Sequence, residues 1–259
     1  MGFHLLKSVP TVLRARGFRL YTQGGRRLVD LWLNGGAAVL GHTPPNMLRE
    51  IKNTASRGLY APFPHFTEWR FLKALSQLLV GYSFRLYAAP PPELTGLFDK
   101  GAAKLWRPFS EQENPPLFIP VIPGIQLWRD ELPLGLCVVA AESESYLEQL
   151  PPGDILPPVL LAAAARGIYD LLASSMRAKP VLPRTFKALQ KSPLGWQRQG
   201  IYLTLKEKPR DEEWAALFRQ FLDAGFLLPP TSSQPVILPG ELSPGEDAKL
   251  ATALGASCP

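Results

Sequence analysis

Proline constrains the fold of this chain more than any other residue type, since 28 of its 259 residues are prolines, roughly twice the usual share. A proline donates no backbone hydrogen bond and is excluded from helix interiors and central strands. The rest of the composition is that of a globular protein, with 46% hydrophobic and 19% charged residues. We therefore expect a folded body of many short helices and strands joined by rigid connections.

The charge pattern favours a solvated basic face over a nucleic-acid footprint. The formal net charge is +6, and a group of arginines lies near the N-terminus: Arg14, Arg16, Arg19, Arg26 and Arg27. They alternate with hydrophobic residues and form no continuous basic block. No zinc-ligand spacing, helix-turn-helix pattern or aromatic RNA platform accompanies them. The sequence therefore predicts no nucleic-acid partner.

Cysteine usage and hydropathy predict a cytoplasmic protein. The two cysteines, Cys137 and Cys258, are far apart in the sequence and fit neither a disulfide framework nor a metal site. The N-terminal apolar run is too short for a signal peptide, and no stretch reaches membrane-spanning length. We expect no bound metal and no membrane association.

Local patterns predict alternating helices and strands. Residues 18–32 alternate as a hairpin around the turn Gln23-Gly24-Gly25. Helices are expected after Thr43 and after Thr67, where an apolar stripe of helical spacing follows. A helix is also expected over residues 93–106, despite two internal glycines. Buried strands are predicted at residues 84–89, 117–122 and 134–141.

Four segments, in this order, resemble the class III aminotransferases, which are pyridoxal-phosphate (PLP) enzymes of fold type I. "RGFRLYTQGGRRLVDLWLNGGAAVLGHTPPNMLREI" resembles the opening of that family, most closely of glutamate-1-semialdehyde aminomutases. The helix from Glu68, the segment "LPLGLCVVAAES" with the alanine-rich helix after it, and "FLDAGFLLPPTSSQPVILPG" resemble later family segments. The resemblance covers residues 16–80 and 132–254.

The resemblance implies an α/β (α+β) architecture, namely a reduced fold-type-I aminotransferase-like fold. It implies three consecutive segments. Residues 1–66 form an N-terminal hairpin and helix, residues 67–156 a remnant of the PLP-binding large domain, and residues 157–259 a long helix with a C-terminal α/β small domain. In the family, the first strand of the large-domain sheet lies beside the seventh, and the seventh lies beside the sixth. By their order along the chain, the three strands predicted above correspond to the first, sixth and seventh strands of that sheet. They should therefore be adjacent, with the last antiparallel to both neighbours.

The catalytic lysine of the family has no counterpart here. In the family, the lysine that forms the Schiff base lies about seven residues before the proline of the "PLG" strand, a position that falls near Gln126 in this chain. No lysine occurs between Lys104 and Lys179. A Schiff base requires a primary amine, so the comparison implies that no catalytic residue is present.

The phosphate-binding loop of the family is also altered. Its position reads Ala88-Ala89-Pro90-Pro91-Pro92-Glu93, and a proline has no amide hydrogen to donate to a phosphate. In the sequence, only residues 107–116 correspond to the long segment that forms most of the cofactor-binding domain in family members. We therefore expect PLP to be absent and no cofactor-binding residue to remain.

The leading interpretation is a non-catalytic aminotransferase-like protein, a pseudoenzyme that acts through binding or assembly. Family members form dimers, which implies a homodimer with contacts from residues 31–42 and 60–66. The candidate interface residues are Asn34, Gly35, Gly36, His42, Tyr60 and Phe63. The alternative is that these residues only close the core, with His42 acting as a turn residue that marks the fold.

A rival interpretation is an aminotransferase- or aminomutase-related PLP enzyme, or a subunit that completes its site with a partner chain such as an intact aminotransferase. Carboxylates are available at residues 129–131 and 142–144, whereas His4, His42 and His65 are scattered. No Ser-His-Asp order, HExxH motif, P-loop or dinucleotide-binding glycine pattern is present.

Overall fold

The computed structural model of the protein describes residues 2–110, 115–124, 126–129, 132–174 and 182–255. The α helices are α1 (Pro45–Ala55), α2 (Thr67–Leu78), α3 (Pro92–Asp99), α4 (Glu144–Glu148), α5 (Pro158–Ser174), α6 (Pro183–Leu189), α7 (Asp211–Asp223) and α8 (Pro244–Gly255). The strands are β1 (Val12–Arg16), β2 (Arg19–Thr22), β3 (Arg27–Asp30), β4 (Ser83–Tyr87), β5 (Lys104–Trp106), β6 (Leu117–Pro120), β7 (Leu127–Arg129), β8 (Leu132–Leu134), β9 (Cys137–Ala141), β10 (Trp196–Gln199), β11 (Tyr202–Leu205), β12 (Phe226–Leu227) and β13 (Val236–Ile237). The mixed α/β architecture expected from the sequence is confirmed.

The described residues form two compact units. The first unit contains residues 2–42, 109–110 and 182–255, and the second contains the described residues 43–108 and 115–174. The units do not follow the three consecutive segments predicted from the sequence. The physical reason is strand pairing across the chain: β12, from the C-terminal part, pairs in parallel with β3 of the N-terminal hairpin.

The first unit is built on two small sheets. One has the order β1-β2-β3-β12, and the other has the order β10-β11-β13. The predicted N-terminal hairpin is confirmed, since β2 and β3 pair antiparallel. Its core joins the hairpin to α7 and α8 through buried apolar side chains, including Leu20, Leu28, Phe218, Phe221 and Leu250.

The second unit is a sheet between two layers of helices. Its sheet has the order β4-β9-β6-β5. Successive residues of β9 point to opposite faces, so that Val138 packs with Phe71 and Ile168 from α2 and α5. Val139 packs on the other face with Leu94 and Leu147, from α3 and α4. Because both faces are covered, every residue of β9 is buried.

The strand order confirms the most specific structural prediction from the sequence. β9 is antiparallel to β4, with Ser83 opposite Ala141 and Tyr87 opposite Cys137. It is also antiparallel to β6, with Leu117 opposite Ala141. The three predicted strands are therefore adjacent, and the last of them is antiparallel to both neighbours.

Two local predictions were wrong. The helix expected over residues 93–106 ends at Asp99, because Gly101 has a φ of +73° and turns the chain out of the helix. The chain then forms β5, which adds to the sheet parallel to β6. The strand expected over residues 134–141 is interrupted at Gly135, where φ is +75°, and β9 begins at Cys137.

None of the described helices is long and apolar enough to cross a membrane.

Candidate functional site

Gln126, which the sequence resemblance aligns with the Schiff-base lysine of the family, is buried and bound to the backbone. Only 2% of it is exposed. Its Oε1 accepts a hydrogen bond from the Ile122 amide at 3.3 Å, and its Nε2 donates to the Leu136 carbonyl at 3.0 Å. A carboxamide nitrogen forms no imine, because its lone pair is delocalised into the carbonyl group. Gln126 therefore holds the loop ahead of β7 against the start of β9.

The segment that the sequence resemblance aligns with the phosphate-binding loop, residues 88–93, lies between the carboxyl end of β4 and the first turn of α3. Pro91 is the N-cap of α3, and Pro92 is its first residue. Two amide donors that a phosphate would use are thus missing. The Ala88 amide donates to Asp154 Oδ2 at 2.8 Å. The negative charge of the Asp154 carboxylate would repel a phosphate group at this amide.

The consecutive residues Gly135 and Leu136 form hydrogen bonds with Ala88 and Gln126, respectively. The Gly135 amide donates to the Ala88 carbonyl at 2.7 Å, and the Leu136 carbonyl accepts from Gln126. Ala88 and Gln126, which the sequence resemblance assigns to the phosphate loop and to the lysine position, are therefore held on either side of one peptide link. We call Ala88, Gln126, Gly135, Leu136 and Asp154 the reduced site. Asp154 is not identifiable from the sequence, because a single aspartate in a proline-rich loop carries no motif.

Two titratable groups next to the reduced site have pKa values above their usual ones. Burial raises the pKa of the Cys137 thiol to about 12, so the thiol is protonated at neutral pH. Burial also raises the pKa of the Tyr87 hydroxyl, which donates to the Pro151 carbonyl at 2.8 Å. Among the described residues, no group of three His, Cys, Asp or Glu side chains could hold a metal ion.

The carboxylates proposed from the sequence do not form a catalytic group in the described structure. Glu142 and Glu144 are exposed on either side of the N-cap of α4. Asp130 and Glu131 lie outside the described residues, as do the Arg129 side chain, Lys179 and Cys258. His65 Nδ1 lies 3.1 Å from Thr67 Oγ1 at the start of α2, which is a local contact at a helix end.

The glycine-pair segment, residues 31–42, is held inside the first unit. Leu33 and Asn34 have φ values of +46° and +50°, which cost free energy outside glycine. Asp30 Oδ1 accepts the amides of Trp32 and Leu33 at 2.8 and 2.9 Å, and its Oδ2 lies 2.9 Å from His42 Nε2. These contacts support a core-closing role for the segment.

The candidate interface residues differ in their exposure. Gly35 and Gly36 are buried, whereas Asn34 and His42 are half-buried. In the second unit, large aromatic side chains before and within α2 are exposed to solvent. They are Tyr60 (64%), Phe63 (51%), Phe66 (59%) and Trp69 (65%), and we call these four residues the aromatic segment. The sequence predicted interface contacts from residues 60–66, a range that includes the first three of these side chains, but it did not single out Trp69.

No protein-family model matches this chain. It is similar to an uncharacterized protein of Treponema pallidum, with 28% identity over 293 aligned positions that cover 91% of each chain. It is also similar to an uncharacterized protein of Borreliella burgdorferi, with 27% identity over 249 positions, 93% of this chain and 89% of the other.

Solved structures of aminotransferases resemble this chain over almost its whole length. A transaminase with PLP bound has a TM-score of 0.68 and 12% identity, covering 95% of this chain and 89% of the other. An omega-transaminase from Sphaerobacter thermophilus has a TM-score of 0.66 and 10% identity, covering 95% and 90%. Ornithine delta-aminotransferase from Plasmodium falciparum has a TM-score of 0.67 and 10% identity, covering 95% and 92%. The protein therefore has an aminotransferase-like α/β fold, as its sequence predicted.

Proposed function

We propose that this protein is a non-catalytic relative of the class III aminotransferases, which acts through binding and assembly and does not use PLP. The observation that carries the proposal is the buried carboxamide of Gln126, a residue that the sequence resemblance aligns with the Schiff-base lysine. The oxygen and the nitrogen of this carboxamide both form hydrogen bonds with backbone groups. The position therefore has a structural role that an imine-forming lysine could not fill.

The surroundings of Gln126 support the same conclusion independently. A PLP enzyme also needs donors that grip the phosphate of the cofactor, and these act mainly through backbone amides at a helix N-terminus. In this chain Pro91 and Pro92 remove such donors, and Asp154 occupies the Ala88 amide. Restoring a lysine alone would therefore not restore a cofactor site.

The first prediction concerns PLP itself. Protein incubated with micromolar PLP, desalted and reduced with borohydride should show no stoichiometric adduct, because no lysine is placed in a site that grips the cofactor. The measurements are the visible absorption band of the imine and the intact mass after reduction. An intact PLP aminotransferase treated in parallel provides the positive control. A one-to-one adduct that survives desalting and maps to a single lysine would show that the protein is a PLP enzyme.

For assembly, we propose that the aromatic segment joins two copies of this chain. Four large aromatic side chains exposed within ten residues form an unusual surface for a monomer, and aromatic residues dominate the binding energy of protein interfaces. Next to these side chains, Arg70 pairs with Glu50, and Lys73 Nζ lies 5.1 Å from the Trp69 ring centroid. The resemblance to the dimeric family favours a second copy as the occupant.

The second prediction tests this interface. The double substitution Phe63→Ser and Trp69→Ser should weaken self-association by at least about a hundredfold, because each buried aromatic anchor typically contributes about 2 kcal/mol. Sedimentation equilibrium over a range of protein concentrations measures the effect. Both side chains are exposed in the single chain, so circular dichroism should show an unchanged fold.

The control for this experiment is Val80→Ser. Val80 is 80% exposed and lies beyond the C-terminal end of α2, outside the aromatic segment, so its replacement should leave the dimer intact. A wild-type protein that is monomeric at all concentrations would overturn the assembly proposal without affecting the PLP result.

A further inference from the structure

The excess positive charge of the chain comes from its N-terminal part. Residues 1–42 contain six Lys or Arg residues and a single acidic residue, Asp30, whereas the remainder contains 22 basic and 21 acidic residues. Asp30 is buried, with 2% of its surface exposed. The net charge of the protein is therefore concentrated on the segment that forms β1, β2 and β3.

Four of the five arginines of this segment share the outer face of the hairpin sheet, whereas Arg26 lies in the turn before β3 and donates to the Leu222 carbonyl. Arg14 on β1 is opposite Tyr21 on β2, and Tyr21 is opposite Arg27 on β3. The Arg14 guanidinium carbon lies 4.4 Å from the Tyr21 ring centroid, which holds this side chain over the sheet. Arg16 is opposite Arg19 in the next row.

Only part of this charge is neutralised within the chain. Arg19 donates two hydrogen bonds to Glu246, at 2.9 and 2.6 Å, and Arg27 Nη2 lies 3.4 Å from the same carboxylate. Arg14 and Arg16 are exposed, and neither forms an ion pair among the described residues. They lie side by side along β1, two positions apart, and so point to the same face.

β1 also presents an open backbone edge. It is the terminal strand in the order β1-β2-β3-β12, and no described strand pairs with its outer side. The turn from β1 to β2 is made by Gly17, with a φ of +54°, and Phe18. Arg16 and Arg19 thus flank a two-residue turn, so the amide and carbonyl of Ala15 point away from β2. Beside this edge, Leu13 is 68% exposed.

We propose that the β1 edge binds an extended acidic segment of a partner protein, which adds to the sheet as a further strand. The backbone of such a segment would pair with Ala15. Acidic side chains at every second position would face Arg14 and Arg16, and an apolar side chain would cover Leu13. Strand addition of this kind takes its affinity from main-chain hydrogen bonds and its specificity from alternate side chains.

The charges favour this occupant over the alternatives. A second copy of β1 would place arginines opposite arginines, and like charges directly across a strand pair are destabilising. A nucleic acid would use the arginines but would leave the open backbone edge and the exposed Leu13 without a role. This inference does not depend on the proposed dimer, because β1 belongs to the first unit and the aromatic segment belongs to the second.

A capped, fluorescent peptide of alternating glutamate and valine tests the proposal by fluorescence anisotropy at low salt. Ala15→Pro removes the outward amide without changing charge, and proline is tolerated on an edge strand where the amide faces solvent. It should weaken binding about tenfold, whereas Ala15→Ser, which keeps the amide, should stay within about twofold of wild type. Hydrogen exchange at the Ala15 amide should slow when the peptide is added.

The charge contribution is tested separately. The double reversal Arg14→Glu and Arg16→Glu should weaken peptide binding about tenfold or more. The matched control is Lys208→Glu with Arg219→Glu, two exposed residues elsewhere in the first unit, which should change binding far less. A peptide of alternating lysine and valine should not bind.

Three results would overturn the proposal. The first is a failure of the acidic peptide to bind at low salt. The second is equal binding by Ala15→Pro and Ala15→Ser, which would show a contact made by charge alone. The third is tighter binding of a mixed-sequence DNA oligonucleotide than of the peptide, lost on reversal of Arg14 and Arg16, which would identify a nucleic-acid surface. Circular dichroism of each variant confirms that the fold is retained.

Discussion

Replacing Gly167 with alanine is expected to lower the free energy of unfolding by about 3 kcal/mol or more, a large overpacking penalty. Gly167 lies inside α5, and a Cβ atom at this position would lie 2.1 Å from the Pro123 carbonyl oxygen and 3.1 Å from Met47 Cε. Met47 could adopt another side-chain conformation, but a backbone carbonyl cannot rotate aside alone. Either α5 or the loop at Pro123 must therefore move.

The consequence extends to the reduced site. Pro123 directly follows Ile122, whose amide donates to Gln126. A shift of this loop away from α5 would therefore also disturb the buried carboxamide. Urea unfolding of the purified variant, followed by circular dichroism, measures the loss of stability.

The matched control is Gly96→Ala. Gly96 is also a helical glycine, in α3, but no atom lies within 4 Å of the position of an added Cβ. Alanine there should stabilise the protein by about 0.5 to 1 kcal/mol, through its higher helix propensity. If Gly167→Ala were as stable as the wild type, the close approach of α5 to Pro123 would be incorrect.

Protonation of Glu246 is expected to remove about 3 kcal/mol of stability in acid. Its carboxylate is 9% exposed, accepts two hydrogen bonds from Arg19 and accepts the Ser243 amide at 2.8 Å. The Arg19 hydrogen bonds are the main cause that lowers the pKa of Glu246 from 4.5 to about 2. Each unit of pKa difference corresponds to about 1.4 kcal/mol.

The direction of the pH dependence follows from this lowered pKa. The folded state binds the Glu246 proton less tightly than the unfolded state, so the stabilisation is fully present above about pH 4.5. It is lost as the pH falls from there towards 2. The difference in unfolding free energy between the wild type and Glu246→Gln should therefore be large at pH 7 and should shrink below pH 4.

A second carboxylate provides the control for Glu246. Glu213→Gln removes the partner of Arg210 in an exposed ion pair at the start of α7. Exposed pairs contribute little to stability, so this variant should follow the wild type at every pH. A Glu246→Gln difference that stayed constant from pH 7 to pH 3 would show that the Arg19–Glu246 pair does not titrate as described.

Much of the second unit could be predicted because the relevant signals are local in sequence. The strands around Leu86, Phe118 and Val139 are short apolar runs bounded by prolines and glycines, and the family resemblance supplied their order. The end of α3 was misplaced because Gly101 was taken as a tolerated helix glycine. Gly101 instead has a positive φ, and the chain after it pairs in parallel with β6, a tertiary contact that no local pattern indicates.

By itself, the sequence determined that no lysine occurs near residue 126 and that prolines replace amide donors at the start of α3. Both are facts of residue chemistry that no fold can alter. Only the tertiary structure decided that Gln126 binds the Ile122 amide and the Leu136 carbonyl, and that Asp154 occupies the Ala88 amide. These partners lie four, ten and 66 residues apart in sequence, so only the folded chain brings them within hydrogen-bonding distance. The Gln126 carboxamide is buried, and a buried polar group takes the partners that the packed chain offers.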